Sequence, residues 1–319
     1  MLGFSVLEGG RCLTLRARAK VNLGLEVLSR RADGYHELLT FLSAVDLADR
    51  VMVERIDSAS EAAAIEVECD APGVPLGAGN LAWRAAALLR DEARIDAGAR
   101  IRIVKAIPVA AGLGGGSADA AAVLAGLARL WVVALPPARR DALATALGMD
   151  VPFFLGDGPA VGSGRGERLA PAPPHASVPL VLVNPGFPLG TRDVYARLEP
   201  RDFTDGSAVR RLVAALAAGP RAIAACLVNG LERSAARLWP GLDEVKAALV
   251  EAGALGAVMS GSGPTVVGVA PSMAGARRIQ AALAGRPWRC WVTRTVAAPP
   301  LSVTTGGARV CQSWGVAKR

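Results

Sequence analysis

From Leu13 to Val27 the chain alternates with a period of two. Leu13, Leu15, Ala17, Ala19, Val21, Leu23, Leu25 and Val27 are apolar, and Arg16, Arg18, Lys20, Asn22 and Glu26 stand between them. This pattern predicts a strand with one apolar and one polar face, on which Lys20 and Asn22 lie about 7 Å apart on the same side and Gly24 leaves room beside them. Asp33-Gly34 predicts a turn, residues 46–50 a second turn, and Val51 to Val53 the start of another strand. GNLAWRAAALLRDEA, opening at Asn80, reads as a helix, and ARIRIVKAI alternates as a strand that runs into a cluster of glycines.

That cluster is PVAAGLGGGSADAAAVLAGLARLW, Pro108 to Trp131. After Ser117 the apolar positions Ala121, Leu124, Leu127, Ala128 and Trp131 recur at helical spacing, with Ser117 and Asp119 placed as a cap and a first-turn acid. A bare loop feeding a helix start combines close backbone approach, free N–H groups and the positive end of the helix dipole, which together form an anion site. The run lacks the Lys-Ser/Thr ending of a Walker A loop and the spacing of a dinucleotide fingerprint, so a phosphate site of another kind is implied.

A further helical region precedes GMDVPFFLGDGPAVGSGRGERLAP, whose glycines and prolines predict a crossing between two lobes near residue 160. The second half opens with the strand PLVLVNPG. Helices follow around 208–218, 220–237 and 242–252, and then strand, glycine turn and strand in GAVMSGSGPTVVGVA. The expected division is 1–160, 161–297 and an appended tail, 298–319, rich in Pro, Gly and Thr at its start and free of acids.

The chain has 319 residues, room enough for two lobes, and is 52% hydrophobic but only 4% aromatic, so its two tyrosines, Tyr35 and Tyr195, draw notice. The net charge of +8 comes from scattered arginines rather than a basic stripe, which suits a polyanionic small substrate and argues against a nucleic-acid partner. The five cysteines form no C-x-x-C pair and are expected to be reduced thiols. Neither a leader nor a membrane-length apolar run is visible, so a cytoplasmic protein without a membrane partner is expected, as a monomer or weak homodimer.

Three separated motifs, PVAAGLGGGSADAAA, AKVNLGLEVLSRRADGYHELLT and SGSGPTVVGV, resemble the GHMP small-molecule kinases. The similarity covers roughly residues 11 to 297. The glycine loop alone marks the superfamily. The string Arg31-Ala32-Asp33-Gly34-Tyr35-His36, with Gly148-Met149-Asp150-Val151-Pro152-Phe153 and Leu182-Val183-Asn184-Pro185-Gly186, is similar to the branch acting on a cytidine-diphosphate polyol in isoprenoid precursor synthesis. Met149 departs from the more usual alanine.

The resemblance implies a two-lobed α+β fold, the first lobe similar to the second domain of ribosomal protein S5 and the second ferredoxin-like, with the active site between them. It implies transfer of the γ-phosphate of ATP to a tertiary hydroxyl. Magnesium is expected to be held mainly by the ATP phosphates, with no protein-built metal site. Lys20 and Asp150 form the implied catalytic pair, the aspartate orienting the hydroxyl and accepting its proton. Asp150 can also be read as a cap before Pro152.

For ATP the implied contacts are Pro108, Val109, Ala110, Ala111, Gly112, Leu113, Gly114, Gly115, Gly116, Ser117 and Ala118, with Asn80 at the adenine. For the cytidyl substrate they are Asn22, Tyr35, His36, Asp150, Thr191 and Tyr195, the two tyrosines sandwiching the pyrimidine and His36 reading its edge. Ser260 to Thr265 is expected to close the glycine loop against the phosphate site. Rival readings are a homoserine- or mevalonate-type kinase of the same superfamily, and a non-catalytic nucleic-acid binder using the S5-like lobe.

Overall fold

The computed structural model describes residues 11–57 and 64–304. Strand β1 (Cys12–Arg30) turns at residues 31–35 into β2 (His36–Asp57), and the two pair along their whole length. The expected turn at 46–50 is instead strand: Asp49 and Arg50 stay in register with β1, because β2 bends at bulges rather than breaking. Beyond Ala19 both faces of β1 are buried, so its even positions Lys20, Asn22 and Glu26 form an internal polar row and not the exposed face expected from alternation.

After β3 (Ile65–Cys69) come α1 (Leu81–Ala93) and β4 (Ala97–Val104), which pairs with β2 and, in parallel, with β3. The glycine run leads into α2 (Gly115–Leu130), followed by α3 (Pro137–Leu147) and the single turn α4 (Val151–Phe154). Helix α2 is a small-residue helix buried on nearly every side, and its alanines let it lie close against α1 and β1. Its N-cap is Gly114, not Ser117, and Asp119 is buried within it rather than exposed in a first turn.

Strands β5 (Ala160–Gly164) and β6 (Arg168–Pro171) form a hairpin added to the start of β2, so the first lobe's sheet continues to residue 171 and the crossover falls at 172–178. The second lobe then runs β7 (Pro179–Asn184), α5 (Thr191–Tyr195), α6 (Ser207–Ala215), α7 (Pro220–Ala225), β8 (Val228–Asn229), α8 (Glu232–Leu238), α9 (Leu242–Glu251), β9 (Gly256–Met259), β10 (Val266–Val269), α10 (Met273–Ala282) and β11 (Arg289–Val296). The helix expected over 220–237 is split by β8, which pairs in parallel with β1 at Gly24 and Leu25.

Strand β11 joins the halves. Arg289 to Arg294 pair with β7, and Thr295 and Val296 pair with β2, giving one sheet in the order β12-β1-β2-β11-β7-β10-β9. The fold is α+β, as expected. A shared core of Ala19, Val21, Leu23, Phe41, Leu180, Leu182 and Val267 lies where the lobes meet.

The last strand of that order, β12 (Leu301–Val303), corrects the appended-tail reading for residues 299–304. It pairs with β1 at Leu15 to Ala17, Arg18 donates its N–H to the Pro300 carbonyl and its guanidinium to Pro299, and Leu301 is 2% exposed. Residues 305–319 lie outside the described residues. A chain ended at residue 297 is therefore expected to lose on the order of 2–4 kcal/mol of stability, from one buried leucine and a short ladder of hydrogen bonds. Urea unfolding of the truncated and full chains measures it, and coincident midpoints would return the strand to the status of an appendage. Among the described cysteines, Cys69, Cys226 and Cys290 are free thiols, and Cys311 lies outside the described residues.

Candidate active site

The Lys20 ammonium is held by its neighbours on two strands. Its backbone N–H donates to the Leu113 carbonyl at 2.9 Å, and its Nζ donates to Asn22 Oδ1 at 2.6 Å. Asn22 Nδ2 in turn donates to Thr40 Oγ1 at 2.8 Å, and the Thr40 hydroxyl donates to the Gly24 carbonyl. On the open side, Nζ lies 3.5 Å from Asp150 Oδ2. The lysine side chain is 5% exposed and the aspartate 41%, so a fixed cation faces a carboxylate that solvent or a ligand can reach. Asp150 occupies the N-cap position of α4, yet its side chain makes no capping bond, which removes the cap reading and leaves the carboxylate free.

The glycine loop reaches the same place from the first lobe. Gly114 caps α2 with φ of 70°, and the first N–H groups of a helix have no partner within it. A side chain at Gly116 would meet nothing closer than Leu81 at 3.8 Å, so the space above it is open to a ligand. Gly112 is bare for a different reason: with φ of +75°, a Cβ there would come within 2.4 Å of the Ser260 carbonyl oxygen. The third motif thus props the loop, as expected. The Ser260 hydroxyl donates to the Gly112 carbonyl at 3.1 Å and accepts from the Asn22 N–H, and Thr265 N–H donates to Ala111.

Most of the anticipated site residues line one cleft of about 1410 Å³ between the lobes: Lys20, Asn22, Tyr35, His36, Asn80, Pro108 to Gly112, Gly114 to Ser117, Asp150, Thr191 and Tyr195. This exceeds the usual 300–1,000 Å³ of a pocket for one small ligand, and suits two. Leu113 and Ala118 are not in the lining. The Leu113 side chain belongs to the shared core, and the Ala118 N–H is already spent on the Gly114 carbonyl, so it has no proton to offer a phosphate. The Asn80 amide is also largely engaged, accepting from Ala82 N–H as the cap of α1 and donating to the Pro75 carbonyl.

At the other end, His36 packs against Tyr195 with ring centres 5.3 Å apart and against Phe203 at 6.1 Å. Burial, with the nearby Arg30, pushes the His36 pKa below its ordinary value, so the imidazole is neutral at pH 7 with one donor and one acceptor nitrogen. The Tyr195 phenol is pushed well up by burial and by the charge of Asp150. Tyr35 stands on the hairpin turn, 54% exposed, and Thr191 Oγ1 lies 2.8 Å from Ser262 Oγ.

A charge cluster absent from the sequence reading forms another part of the wall. Lys105 bridges Asp49 and Asp119, meeting Asp119 Oδ2 at 2.8 Å, and Asp49 also accepts from the N–H groups of Ala106 and Ile107. Asp119 Oδ1 is buried without a hydrogen-bond partner among the described residues. The signal was an acid among the alanines of a buried helix, matched by a lysine ending an apolar strand. Among the described residues no group of three or more His, Cys, Asp and Glu could hold a metal ion, and no helix is long and apolar enough to cross a membrane.

A two-lobed α+β fold with a bare loop at a helix N-terminus and a Lys–Asp pair beside it defines a phosphotransferase class, and the chain belongs to the GHMP kinases: the N-terminal domain of that family matches residues 80–158 and its C-terminal domain residues 207–289. Within it, the chain is 44% identical over 284 residues to 4-diphosphocytidyl-2-C-methyl-D-erythritol kinase of Pelotomaculum thermopropionicum, covering 89% of this chain and 98% of that one. It is 37% identical to the enzyme of the same name from Acetivibrio thermocellus, over 89% and 99% of the two chains. A crystal structure of 4-(cytidine 5'-diphospho)-2C-methyl-D-erythritol kinase superposes with a TM-score of 0.76 at 40% identity, covering 90% of this chain and all of the other. A homoserine kinase from Cytophaga hutchinsonii shares the fold at 21% identity, with a TM-score of 0.74.

Proposed function

We propose that this chain phosphorylates the tertiary 2-hydroxyl of 4-diphosphocytidyl-2-C-methyl-D-erythritol with ATP, in isoprenoid precursor synthesis. The observation that carries the chemistry is the buried Lys20 ammonium 3.5 Å from the accessible Asp150 carboxylate, next to the start of α2. The triphosphate lies along residues 112–117, taking the free N–H groups of the helix start and the Ser117 hydroxyl, and the purine lies toward the apolar wall of Val74, Leu81 and Val109. Magnesium, held mainly by the ATP phosphates, would offset their charge when bound. Lys20 stands beside the start of α2, where the phosphates would lie.

Asp150 accepts a hydrogen bond from the substrate hydroxyl and takes its proton as the new O–P bond forms and the bond from the γ-phosphorus to the β,γ-bridging oxygen breaks, releasing ADP. Lys20, fixed by Asn22, faces that carboxylate and stabilises charge on the transferring phosphoryl group. The cytidine enters where the rings of Tyr35, His36 and Tyr195 line the cleft, its base stacked between the two tyrosines, and neutral His36 offers one donor and one acceptor to the base edge.

The same superfamily contains homoserine and mevalonate kinases, which share the loop and the lobe order. What favours the cytidyl reading is the aromatic group of Tyr35, His36, Tyr195 and Phe203 in the lining of a cleft of about 1410 Å³. The test is incubation with ATP, magnesium and the cytidyl substrate, with homoserine and mevalonate in parallel, followed by phosphorus NMR. A new phosphate ester on the cytidyl substrate alone is expected; transfer to another of the three instead would replace this reading.

A further inference from the structure

The turn between β5 and β6 places an arginine over the exposed tyrosine. Gly164 pairs with Leu38 in β2, so residues 164–167 lie beside the hairpin turn that carries Tyr35. The Arg165 guanidinium carbon is 5.0 Å from the centre of the Tyr35 ring. Arg165 is itself held at two points by Glu167: Oε2 accepts its backbone N–H at 2.6 Å, and Oε1 lies 3.6 Å from its Nε. Glu37 then ties the two turns together, accepting from Gly164 N–H at 3.1 Å and from the Arg31 guanidinium. The arginine is a fixed part of the rim.

Tyr35 has little else to hold its ring. It is 54% exposed, and among the described residues no other aromatic ring packs on it. An exposed side chain that must be ordered by a ligand weakens binding by the entropy it loses, and a cation placed on one ring face removes part of that loss beforehand. Tyr35 and Arg165 both line the cleft.

We propose that Arg165 is a positioning residue for the cytidyl substrate, holding the Tyr35 ring in the orientation on which the pyrimidine stacks. The inference rests on the cytidyl reading of the cleft. It assigns a role to the turn Gly164-Arg165-Gly166-Glu167, which the catalytic pair and the phosphate loop leave unused. Arg165 acts through Tyr35 and not on the phosphates, so its contribution disappears when the ring is absent and is the same for a ligand with or without phosphate.

Calorimetric titration with cytidine 5'-diphosphate and with cytidine tests this without turnover. Arg165→Gln is expected to weaken both ligands about 3- to 10-fold. Arg165→Lys, which retains a cation near the ring, should recover part of the loss. Tyr35→Ala and the double variant Tyr35→Ala/Arg165→Gln should bind alike. In steady-state kinetics Arg165→Gln should raise KM for the cytidyl substrate by the same factor, with kcat and the KM for ATP within twofold of the parent. A loss confined to the diphosphate, or one that adds to that of Tyr35→Ala, would overturn the proposal in favour of direct phosphate contact. An equal rise in the KM for ATP would overturn it in favour of a general effect on the fold. Parent protein that turns over ATP but binds neither cytidine ligand would overturn the cytidyl reading itself, and this inference with it.

Discussion

Asp150→Asn is expected to lower kcat by about 10²- to 10⁴-fold with little change in either KM. Asparagine keeps the size and one acceptor oxygen, so both substrates still dock, but a neutral amide cannot take the hydroxyl proton. The carboxylate makes no capping bond to α4, so the substitution removes no helix cap and the fold should persist. Lys20→Met is expected to cause a comparable loss. The double variant should be far less than multiplicatively worse, because the two side chains face each other at 3.5 Å and act as one unit. Single-turnover phosphoryl transfer with circular dichroism on the same samples measures it. Near-normal turnover in a folded Asp150→Asn would move the proton acceptor elsewhere in the cleft.

The largest expected effect on stability lies at Lys105. Lys105→Met should destabilise the protein by about 3–5 kcal/mol, because it leaves Asp49 and Asp119, with side chains 0% and 6% exposed, facing each other without their cation. Burial opposes the lysine's charge, but Asp119 and Asp49 outweigh it and hold its pKa above the ordinary value. One cation between two carboxylates leaves an excess negative charge. Asp49 accepts two backbone N–H bonds, whereas Asp119 Oδ1 has no hydrogen-bond partner among the described residues, so the burden falls on Asp119.

The Asp119 pKa is raised to about 7, by burial first and by Asp49, against the pull of Lys105. In that situation the folded state holds a proton that the unfolded chain releases at an ordinary carboxylate pKa. The stability it confers is complete below about pH 4 and is lost as pH rises through about 7. Asp119→Asn abolishes this dependence, so relative to the parent it should gain stability between pH 5 and pH 8. Urea unfolding at four pH values within that range measures both variants. A Lys105→Met within 1 kcal/mol of the parent, or a difference between Asp119→Asn and parent that is flat with pH, would contradict the assignment of charge within this cluster.

Where the sequence was legible, short-range patterns carried the information. The β1 alternation, the Asp33-Gly34 turn, the helix after Asn80 and the glycine loop each announce themselves within a few residues, and the structure places them as read. Lys20 and Asp150, 130 positions apart in sequence, were paired by family resemblance, and here they meet in space. The illegible parts depend on long-range packing. Alternation showed which residues share a face of β1, but not that a second layer covers the polar one. β12 was invisible because three residues make no period, and its identity as a strand comes from the free edge of β1. Arg165 looked like one scattered arginine among many until the β5–β6 turn put it over Tyr35.

Strand β11 bears on how the enzyme moves. A hinge between lobes needs a place where few bonds cross, but here one strand is paired with β7 at one end and with β2 at the other, and Ser260 clasps the glycine loop from across the gap. Rotation of the lobes as rigid halves would shear that ladder and pull apart the shared core. Opening and closing therefore falls to the part of the rim that these ties leave out, the short helix α5. A spectroscopic label pair spanning the two lobes is then expected to report almost no change in distance on ligand binding, while a pair with one label on α5 would report a change.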